Sequence, residues 1–268
     1  MPAYLELDRV SKSFVLKSQR PHRELRVLED ISLAVQECSF VVICGPSGCG
    51  KSTLLRLIHG LQKLDGGEIR IHGERVTGPR LDRAMVFQQH NLLPWRTVQR
   101  NIEIGLESKR VPKSERAARA ERWLEKVGLS EFATYHPAQL SGGMQQRVGL
   151  ARALAIEPEM LLMDEPFGAL DAQTRVVLQG ELERIWATDA TTVVFITHDI
   201  EEAVFLADRV IVMSARPGRI VADIPVGAPR PRGDGWRADP EFARLKGEIW
   251  SLLKATGSIE SAPTEVPA

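Results

Sequence analysis

The sequence predicts an α/β fold with three parts: a core of strands and helices, an antiparallel sheet beside it, and an inserted block of helices. Three observations support this architecture. A glycine-rich loop at residues 45–53 lies between a strand-like and a helix-like run, alternating strand patterns precede it, and residues 91–155 have helical character before strand patterns return. The 268 residues suffice for one large domain with an insertion.

The composition is that of an ordinary globular protein. Thirty-five basic and 35 acidic side chains balance, so no overall positive charge favours nucleic acid, and we expect no nucleic-acid partner. No apolar run approaches the roughly 18 residues of a membrane-spanning helix. Residues 1–6 lack the basic and apolar regions of a signal peptide. We therefore expect a cytosolic protein.

Two alternating patterns before the glycine-rich loop predict strands. Apolar residues alternate with polar ones at Leu5, Leu7 and Val10, and again at Ile31, Leu33 and Val35. We expect these strands to form an antiparallel sheet against the core. Between them lies Phe14, followed by a basic connection over residues 17–26 that we expect to be irregular.

The glycine-rich loop fits the phosphate-binding pattern G-x-x-x-x-G-K-[ST]. The apolar run 40–44 predicts a buried strand before it, and residues 54–58 predict a helix after it. Glycines let backbone N–H groups approach phosphate oxygens, and the helix N-terminus adds partial positive charge. We expect Lys51 to reach the β- and γ-phosphates and Ser52 to ligate Mg²⁺. The loop consists of Gly45, Pro46, Ser47, Gly48, Cys49, Gly50, Lys51, Ser52 and Thr53.

The three cysteines have neither disulfide-framework nor metal-site spacing. We expect Cys38 and Cys44 to be small core residues. Cys49 differs because it lies near a helix N-terminus, which is expected to lower the pKa of its thiol. A bound nucleotide would then protect Cys49 from alkylation.

The helical block contains two recognisable helices. Apolar residues recur at helical spacing over residues 112–128, and Gly128 stands where a helix would end. A second helix is predicted to begin near Ser141 and to stop before Pro158. Strand patterns return at 160–163 and 192–196, after two shorter ones at 68–71 and 84–87. This order predicts an inserted subdomain, although both helices could equally be ordinary core helices.

Two carboxylates, Asp164 and Glu165, follow the apolar run 160–163. The carboxyl end of a strand is where an open α/β sheet binds its ligand. We expect Asp164 to hold Mg²⁺ beside Ser52, directly or through water, and Glu165 to accept the proton of an attacking water. Such a run alone often marks only a strand edge, but with the phosphate loop it indicates a nucleotide-hydrolysing site.

A second anion-binding candidate is the segment 140–147, Leu-Ser-Gly-Gly-Met-Gln-Gln-Arg. Ser141 is a good N-cap, and Gly142 and Gly143 leave backbone amides free to approach an anion. A capped helix with a flexible entrance would show the same pattern. The segment resembles the Leu-Ser-Gly-Gly-Gln signature of ABC transporter nucleotide-binding subunits, with Met144 in the fifth position.

The resemblance to these ABC ATPase subunits covers residues 4–220 and implies a P-loop NTPase core that binds ATP and Mg²⁺. Gln88 matches the glutamine that contacts Mg²⁺ and the lytic water. Asp171, in the Ala-Leu-Asp segment 169–171, matches the loop placed at the subunit interface. His198 matches the switch histidine that contacts the γ-phosphate, although a histidine after a strand is more often a turn or core residue. Phe14 aligns with the aromatic residue that stacks on adenine.

The resemblance also implies partners. Two subunits would form a head-to-tail homodimer, with each ATP between the phosphate loop of one and the Ser141, Gly142 and Gly143 helix start of the other. The dimer would lie peripherally on the cytoplasmic face of the cell membrane. There it would drive permease subunits supplied by a periplasmic or extracellular solute-binding protein.

Residues 91–98 resemble the surface that receives the coupling helix of the permease, with contacts near Leu92, Leu93 and Trp95. Trp95 could equally pack inside the helical block. Together with segments 197–203 and 215–220, this region looks most like that of nitrate, sulfonate and taurine importers. The implied function is uptake of such a small anion, with another solute as the alternative.

Two other functions share parts of this pattern. An ATPase acting on DNA or ribosomes is disfavoured by the short interval between Lys51 and Asp164 and by the single cassette. A nucleotide-sensing module without turnover is disfavoured by Glu165 and His198. We assign residues 1–240 to the ATPase domain, with helical subdomain about 91–155, and residues 241–268 to a C-terminal helix, capped by Asp239 and Pro240, and a disordered tail.

Overall fold

The structure is a computed structural model that describes residues 3–16, 23–89, 91–168, 170–189 and 191–256. Its strands are β1 Leu5–Leu16, β2 Arg23–Val35, β3 Phe40–Cys44, β4 Gly66–Ile71, β5 Glu74–Arg75, β6 Arg83–Val86, β7 Met160–Asp164, β8 Thr192–Thr197, β9 Arg209–Met213 and β10 Ile220–Pro225. Its α-helices are α1 Lys51–His59, α2 Val98–Ser108, α3 Lys113–Lys126, α4 Gly142–Leu154, α5 Ala172–Asp189, α6 Ile200–Leu206, α7 Asp234–Arg237 and α8 Pro240–Ala255.

A six-stranded sheet in the order β10-β9-β3-β8-β7-β6 forms the core of the molecule. Strands β9, β3, β8, β7 and β6 are parallel to their neighbours, and β10 closes one edge antiparallel to β9. Every residue of β3, β7 and β8 is buried, as expected of parallel strands covered on both faces. The predicted strands 40–44, 84–87, 160–163 and 192–196 are confirmed, whereas β9, β10, α5 and α6 were not identified from the sequence.

The predicted antiparallel sheet is confirmed, in the order β2-β1-β4-β5. The prediction of an irregular connection over residues 17–26 is wrong for residues 23–26. Strand β2 already begins at Arg23, and Phe14 pairs with Leu25. Residues on both faces of this outer part of the hairpin are exposed or half-buried, so the sequence carries no alternating pattern there. Residues 17–22 lie outside the part of the chain that the structure describes.

The helical block consists of α2, α3 and α4, which pack against one another. Ile102, Leu124 and Val148 belong to a single buried cluster that also contains Phe195 of the central sheet. Both predicted helix boundaries are confirmed. Gly128 adopts φ 67° just after α3, and the Ser141 hydroxyl accepts a hydrogen bond from the Met144 N–H at 3.3 Å as the N-cap of α4.

The C-terminal helix prediction is also confirmed, because α8 begins at Pro240 and the Asp239 carboxylate accepts a hydrogen bond from the Glu241 N–H at 2.8 Å. Phe242, Leu245 and Ile249 are buried against the rest of the chain. The predicted disordered tail begins at Thr256, which is the last of the described residues. The rest of it, residues 257–268, lies outside the part of the chain that the structure describes. No helix in the described ranges has both the length and the apolar character needed to cross a membrane.

Two cysteine predictions have different outcomes. Cys44 is fully buried in β3, as predicted. Cys38 is exposed and adopts φ 55° in the turn between β2 and β3, so the prediction that it is a core residue is wrong. The strand pattern ends at Val35, and the turn that follows leaves the Cys38 side chain exposed.

Candidate nucleotide-binding and hydrolysis site

A cavity of about 380 Å³ lies above the carboxyl ends of the core strands. Eight of the residues that line it were predicted from the sequence: Ser47, Gly48, Gly50, Lys51, Ser52, Thr53, Gln88 and Glu165. Two further lining residues, Val27 and Arg216, were not predicted. The cavity thus brings the phosphate loop together with the ends of β6 and β7.

The phosphate loop owes its shape to glycines. Gly48 and Gly50 adopt φ 78° and 107°, a region that residues with a side chain rarely adopt. A Cβ atom on Gly50 would lie 2.7 Å from the Leu28 side chain. Helix α1 begins immediately afterwards at Lys51, so its free N–H groups point into the cavity.

Lys51 is buried, and its ammonium group contacts three neighbouring groups. Its Nζ atom donates to the backbone oxygens of Gly45 at 2.8 Å and Pro46 at 3.1 Å. The same atom lies 3.7 Å from Oε1 of Glu165. The ammonium group is therefore held between the phosphate loop and the first residue after β7.

Ser52 and Asp164 meet as predicted. The Ser52 hydroxyl donates to Oδ1 of Asp164 at 2.8 Å. Burial raises the pKa of the Asp164 carboxyl, and the hydrogen bond from Ser52 opposes this shift. Gln88 follows β6 and is exposed to the cavity. Ser52 and Gln88 line the cavity, and Asp164 contacts Ser52 directly behind it, so a hydroxyl, an amide and a carboxylate supply oxygen atoms to this part of the site.

Glu165 adopts φ 44°, an uncommon backbone conformation for a residue with a side chain. Its N–H donates to the Ile196 carbonyl of the neighbouring strand β8 at 3.0 Å. The carboxylate oxygen Oε2 lies 3.1 Å from Nδ1 of His198, which follows β8. The imidazole is 56% exposed, and Glu165, but not His198, lines the cavity.

The other predicted site residues lie apart from this cavity. Ser141 and Gly142 are exposed and Gly143 is half-buried at the start of α4. The Asp171 carboxylate accepts hydrogen bonds from the N–H and the hydroxyl of Thr174 at 2.9 and 2.7 Å, and these bonds lower its pKa. Ala169 of the same predicted segment lies outside the described residues.

Phe14 also does not line the cavity. It is 37% exposed on β1, and Nζ of Lys12 lies 5.4 Å from the centre of its ring. An exposed aromatic face next to a cation remains available for stacking, so the assignment to adenine stays a prediction.

Cys49 does not have the predicted properties. Its side chain is 1% exposed, and burial raises the pKa of its thiol although the Lys51 charge acts in the opposite direction. Desolvation disfavours the thiolate, and here it outweighs the helix N-terminus. The prediction of a lowered pKa is wrong, and Cys49 contributes backbone rather than a reactive sulfur.

Comparison with known proteins identifies the family. Residues 28–168 match the family model described as ABC transporter. A taurine import ATP-binding protein of Rhizobium johnstonii is 48% identical, covering 96% of this chain and 99% of the relative. The chain belongs to the ABC transporter family. It is an ABC ATPase subunit, and the predicted P-loop NTPase core with its antiparallel and helical parts is confirmed.

Other relatives of this ABC ATPase carry related names. A nitrate import ATP-binding protein of Synechocystis is 43% identical, covering 96% of this chain and 98% of the relative. An aliphatic sulfonates import ATP-binding protein of Bacillus cereus is 42% identical, covering 96% of this chain and 99% of the relative. Among solved structures, a dimeric post-hydrolysis state of the ATP-binding cassette MJ0796 bound to ADP and Pi superimposes with a TM-score of 0.73. It is 34% identical and covers 84% of this chain and 99% of that one.

Proposed function

We propose that this ABC ATPase hydrolyses Mg-ATP to drive uptake of a small anion such as an aliphatic sulfonate, taurine or nitrate. The observation that carries the hydrolytic part is the position of the Glu165 carboxylate. It lies between the Lys51 ammonium at 3.7 Å and the His198 imidazole at 3.1 Å, at the edge of the cavity. The relatives named for taurine, nitrate and sulfonate import support the transported class.

Phosphoryl transfer to water needs mainly positioning and charge stabilisation. The N–H groups of the phosphate loop and Lys51 would bind and neutralise the phosphates. Glu165 would accept the proton of the attacking water, and His198 would hold the carboxylate in place and contact the γ-phosphate. Gln88 would orient the water. The positions of Lys51, Gln88 and Glu165 around the cavity support these roles.

The residues around Ser52 fit Mg²⁺. The ion prefers oxygen ligands in octahedral geometry and usually takes only one or two carboxylates besides phosphates and waters. Ser52, Asp164 and Gln88 supply oxygen ligands of this kind. When bound, the ion would neutralise phosphate charge. Asp164 is already turned toward Ser52 by their hydrogen bond, which supports this assignment.

A homodimer would complete the site. The free start of α4, with Ser141, Gly142 and Gly143, is a second phosphate-binding helix N-terminus that does not line this chain's own cavity. We infer that it covers the ATP held by the partner subunit, with Asp171 at the interface. The solved dimer of a similar cassette supports this arrangement.

Leu92, Leu93 and Trp95 form the surface that we assign to the permease. Trp95 is 72% exposed, so the alternative of packing inside the helical block is wrong. The buried Asn101 side chain fixes this loop by accepting from the Leu93 N–H at 2.7 Å and donating to the Leu93 and Arg96 carbonyls, each at 3.1 Å. A tryptophan presented on a fixed loop suits contact with a helix.

We place the ATPase dimer on the cytoplasmic face of the cell membrane, below permease subunits that receive solute from a binding protein outside. Residues 1–240 would form the ATPase domain, with residues 91–155 as its helical subdomain. The C-terminal helix and the tail would follow over residues 241–268.

The test compares ATP hydrolysis by wild type and Glu165→Gln. Because positioned general-base catalysis contributes about 10²–10⁴-fold, the variant should lose at least about 100-fold in hydrolysis and keep its affinity for ATP. Glu159→Gln is the matched control, because Glu159 precedes the first residue of β7 and so lies at the other end of this strand from Glu165. It should hydrolyse ATP normally. Undiminished hydrolysis by Glu165→Gln would contradict the proposal. Stimulation by permease and solute-loaded binding protein then identifies the anion.

A further inference from the structure

We propose that Arg216 is a positioning residue for the phosphate loop, which it holds through Gly48 in the conformation that binds ATP. The inference rests on ATP being the ligand of this cavity. Arg216 lies in the loop 214–219 between β9 and β10, and it lines the cavity together with the phosphate loop.

The loop 214–219 is fixed to the antiparallel sheet. The Gly218 N–H donates to the Val27 carbonyl at 2.9 Å, and the Gly218 carbonyl accepts from the Glu29 N–H at 3.1 Å. On the same loop, Arg219 donates to the Glu29 carboxylate at 2.6 and 3.1 Å. The two backbone bonds of Gly218 join this loop to β2, and the exposed Arg219–Glu29 ion pair adds little to them.

The loop 214–219 also contacts the phosphate loop directly. Gly218 is buried so closely against it that a Cβ atom would lie 2.2 Å from the Cys49 carbonyl oxygen. Arg216 donates twice to the Gly48 carbonyl, from Nε at 3.1 Å and from Nη2 at 2.8 Å. Gly48 is one of the glycines with positive φ, so these bonds hold a peptide at a position where the backbone is otherwise free to adopt other conformations.

The Arg216 guanidinium acts on the phosphate loop through hydrogen bonds and through its charge. Hydrogen bonds from a charged guanidinium are stronger than neutral ones, and two bonds from one planar group fix the direction of the acceptor. Arg216 therefore restrains the peptide that follows Gly48 before any phosphate binds. Its positive charge adds to that of Lys51 along the described cavity wall. Both effects act on the binding of ATP rather than on proton transfer at Glu165.

The experiment measures ATP affinity and hydrolysis for wild type, Arg216→Ala, Arg216→Lys and Arg219→Ala. The lower end of the range for hydrogen bonds to charged groups, which suits an exposed side chain such as Arg216, corresponds to about a tenfold effect. We therefore expect Arg216→Ala to raise both the KM for Mg-ATP and the Kd for a fluorescent ATP analogue about tenfold, with kcat changed less than about twofold. Arg216→Lys keeps the charge with a single donor group and should give intermediate values.

Arg219→Ala is the matched control because its exposed guanidinium contacts Glu29 and not the phosphate loop, and the backbone bonds of Gly218 to Val27 and Glu29 still hold the loop without it. It should change KM and Kd less than about twofold. An unchanged Kd in Arg216→Ala, or an equal rise in Arg219→Ala, would overturn the role of Arg216. A failure of wild type to hydrolyse ATP would instead contradict the proposed function, since the Kd comparison is independent of turnover.

Discussion

The Nδ1 atom of His198 lies 3.1 Å from Oε2 of Glu165. The pair is a consequence of sheet topology, because β7 and β8 are adjacent and parallel, with Asp164 opposite Ile196. Each residue stands just after the end of its strand. Glu165 also donates its N–H to the Ile196 carbonyl, so the two strand ends are joined by both backbone and side chains.

We expect His198→Ala to lower the ATP hydrolysis rate by about 10- to 100-fold, since a hydrogen bond to a charged group contributes about 1.5–3 kcal/mol. Without the imidazole, the Glu165 carboxylate loses the partner that orients it. Steady-state ATPase assays measure the rate, and nucleotide titration checks that ATP still binds. His72→Ala is the control, because His72 contacts Glu159 before the start of β7. A normal rate in His198→Ala would show that the contact has no role in hydrolysis.

The sequence was sufficient for the parts of the site that depend on local pattern. The phosphate loop is a continuous motif, and Asp164 could be placed beside Ser52 because parallel strands end at one edge of a sheet. Arg216 and Val27 could not be found in this way. Their positions depend on how the antiparallel sheet and the loop after β9 pack on the phosphate loop, which no local pattern encodes.

Cys49 illustrates a competition that sequence alone does not decide. A helix N-terminus lowers the pKa of a thiol and burial raises it, and only the structure shows that the sulfur is buried. The same limit applied to Cys38 and to the outer part of the β1–β2 hairpin. In both places exposure removes the hydrophobic pattern on which a prediction is based.

Alkylation should therefore modify Cys38 rather than Cys49, which is the opposite of what the sequence leads us to expect. At neutral pH, we expect N-ethylmaleimide to modify the exposed Cys38 in the folded protein and to leave Cys49 unmodified, with or without ATP. Mass spectrometry of peptides measures both sites. Unfolding in urea should make both react, which is the control. Labelling of Cys49 that ATP suppresses would contradict its burial in the nucleotide-free protein.

Trp95→Ala should weaken co-purification with the permease while leaving ATP binding unchanged. The exposed ring is the largest apolar group on the loop before α2, and truncating an aromatic residue at the centre of an interface commonly costs about 2 kcal/mol or more. Trp250→Ala is a suitable control, since Trp250 is also exposed but lies on α8. Unchanged recovery of permease with Trp95→Ala would exclude this surface as the contact.

Glu202 predicts a pH dependence of stability. Its side chain is 3% exposed on α6 and accepts a hydrogen bond from Nε2 of Gln179 on α5 at 2.9 Å. Burial raises its pKa from 4.5 to about 7, and the nearby Asp199 charge acts in the same direction. Hydrogen bonds from Thr197 and Gln179 and the Arg175 charge oppose the shift.

The sign follows from proton binding. Between pH 4.5 and 7 the folded protein holds a proton on Glu202 that the unfolded chain has released. The contribution of this group to the free energy of unfolding is thus fully present below pH 4.5 and is lost as the pH rises through about 7. Glu202→Gln keeps an acceptor for Gln179 and removes the buried charge, so its stability should not fall in this window.

We expect the stability of Glu202→Gln relative to wild type to grow by about 2 kcal/mol between roughly pH 5 and 8, since one pKa unit corresponds to about 1.4 kcal/mol. Urea unfolding at several pH values measures this difference. The control is Glu201→Gln, because Glu201 is exposed and pairs with Lys246 at the surface. This variant should keep the wild-type dependence of stability on pH. If the profiles of Glu202→Gln and wild type ran parallel, Glu202 would already be ionised at pH 5 in the folded protein. That result would contradict the raised pKa.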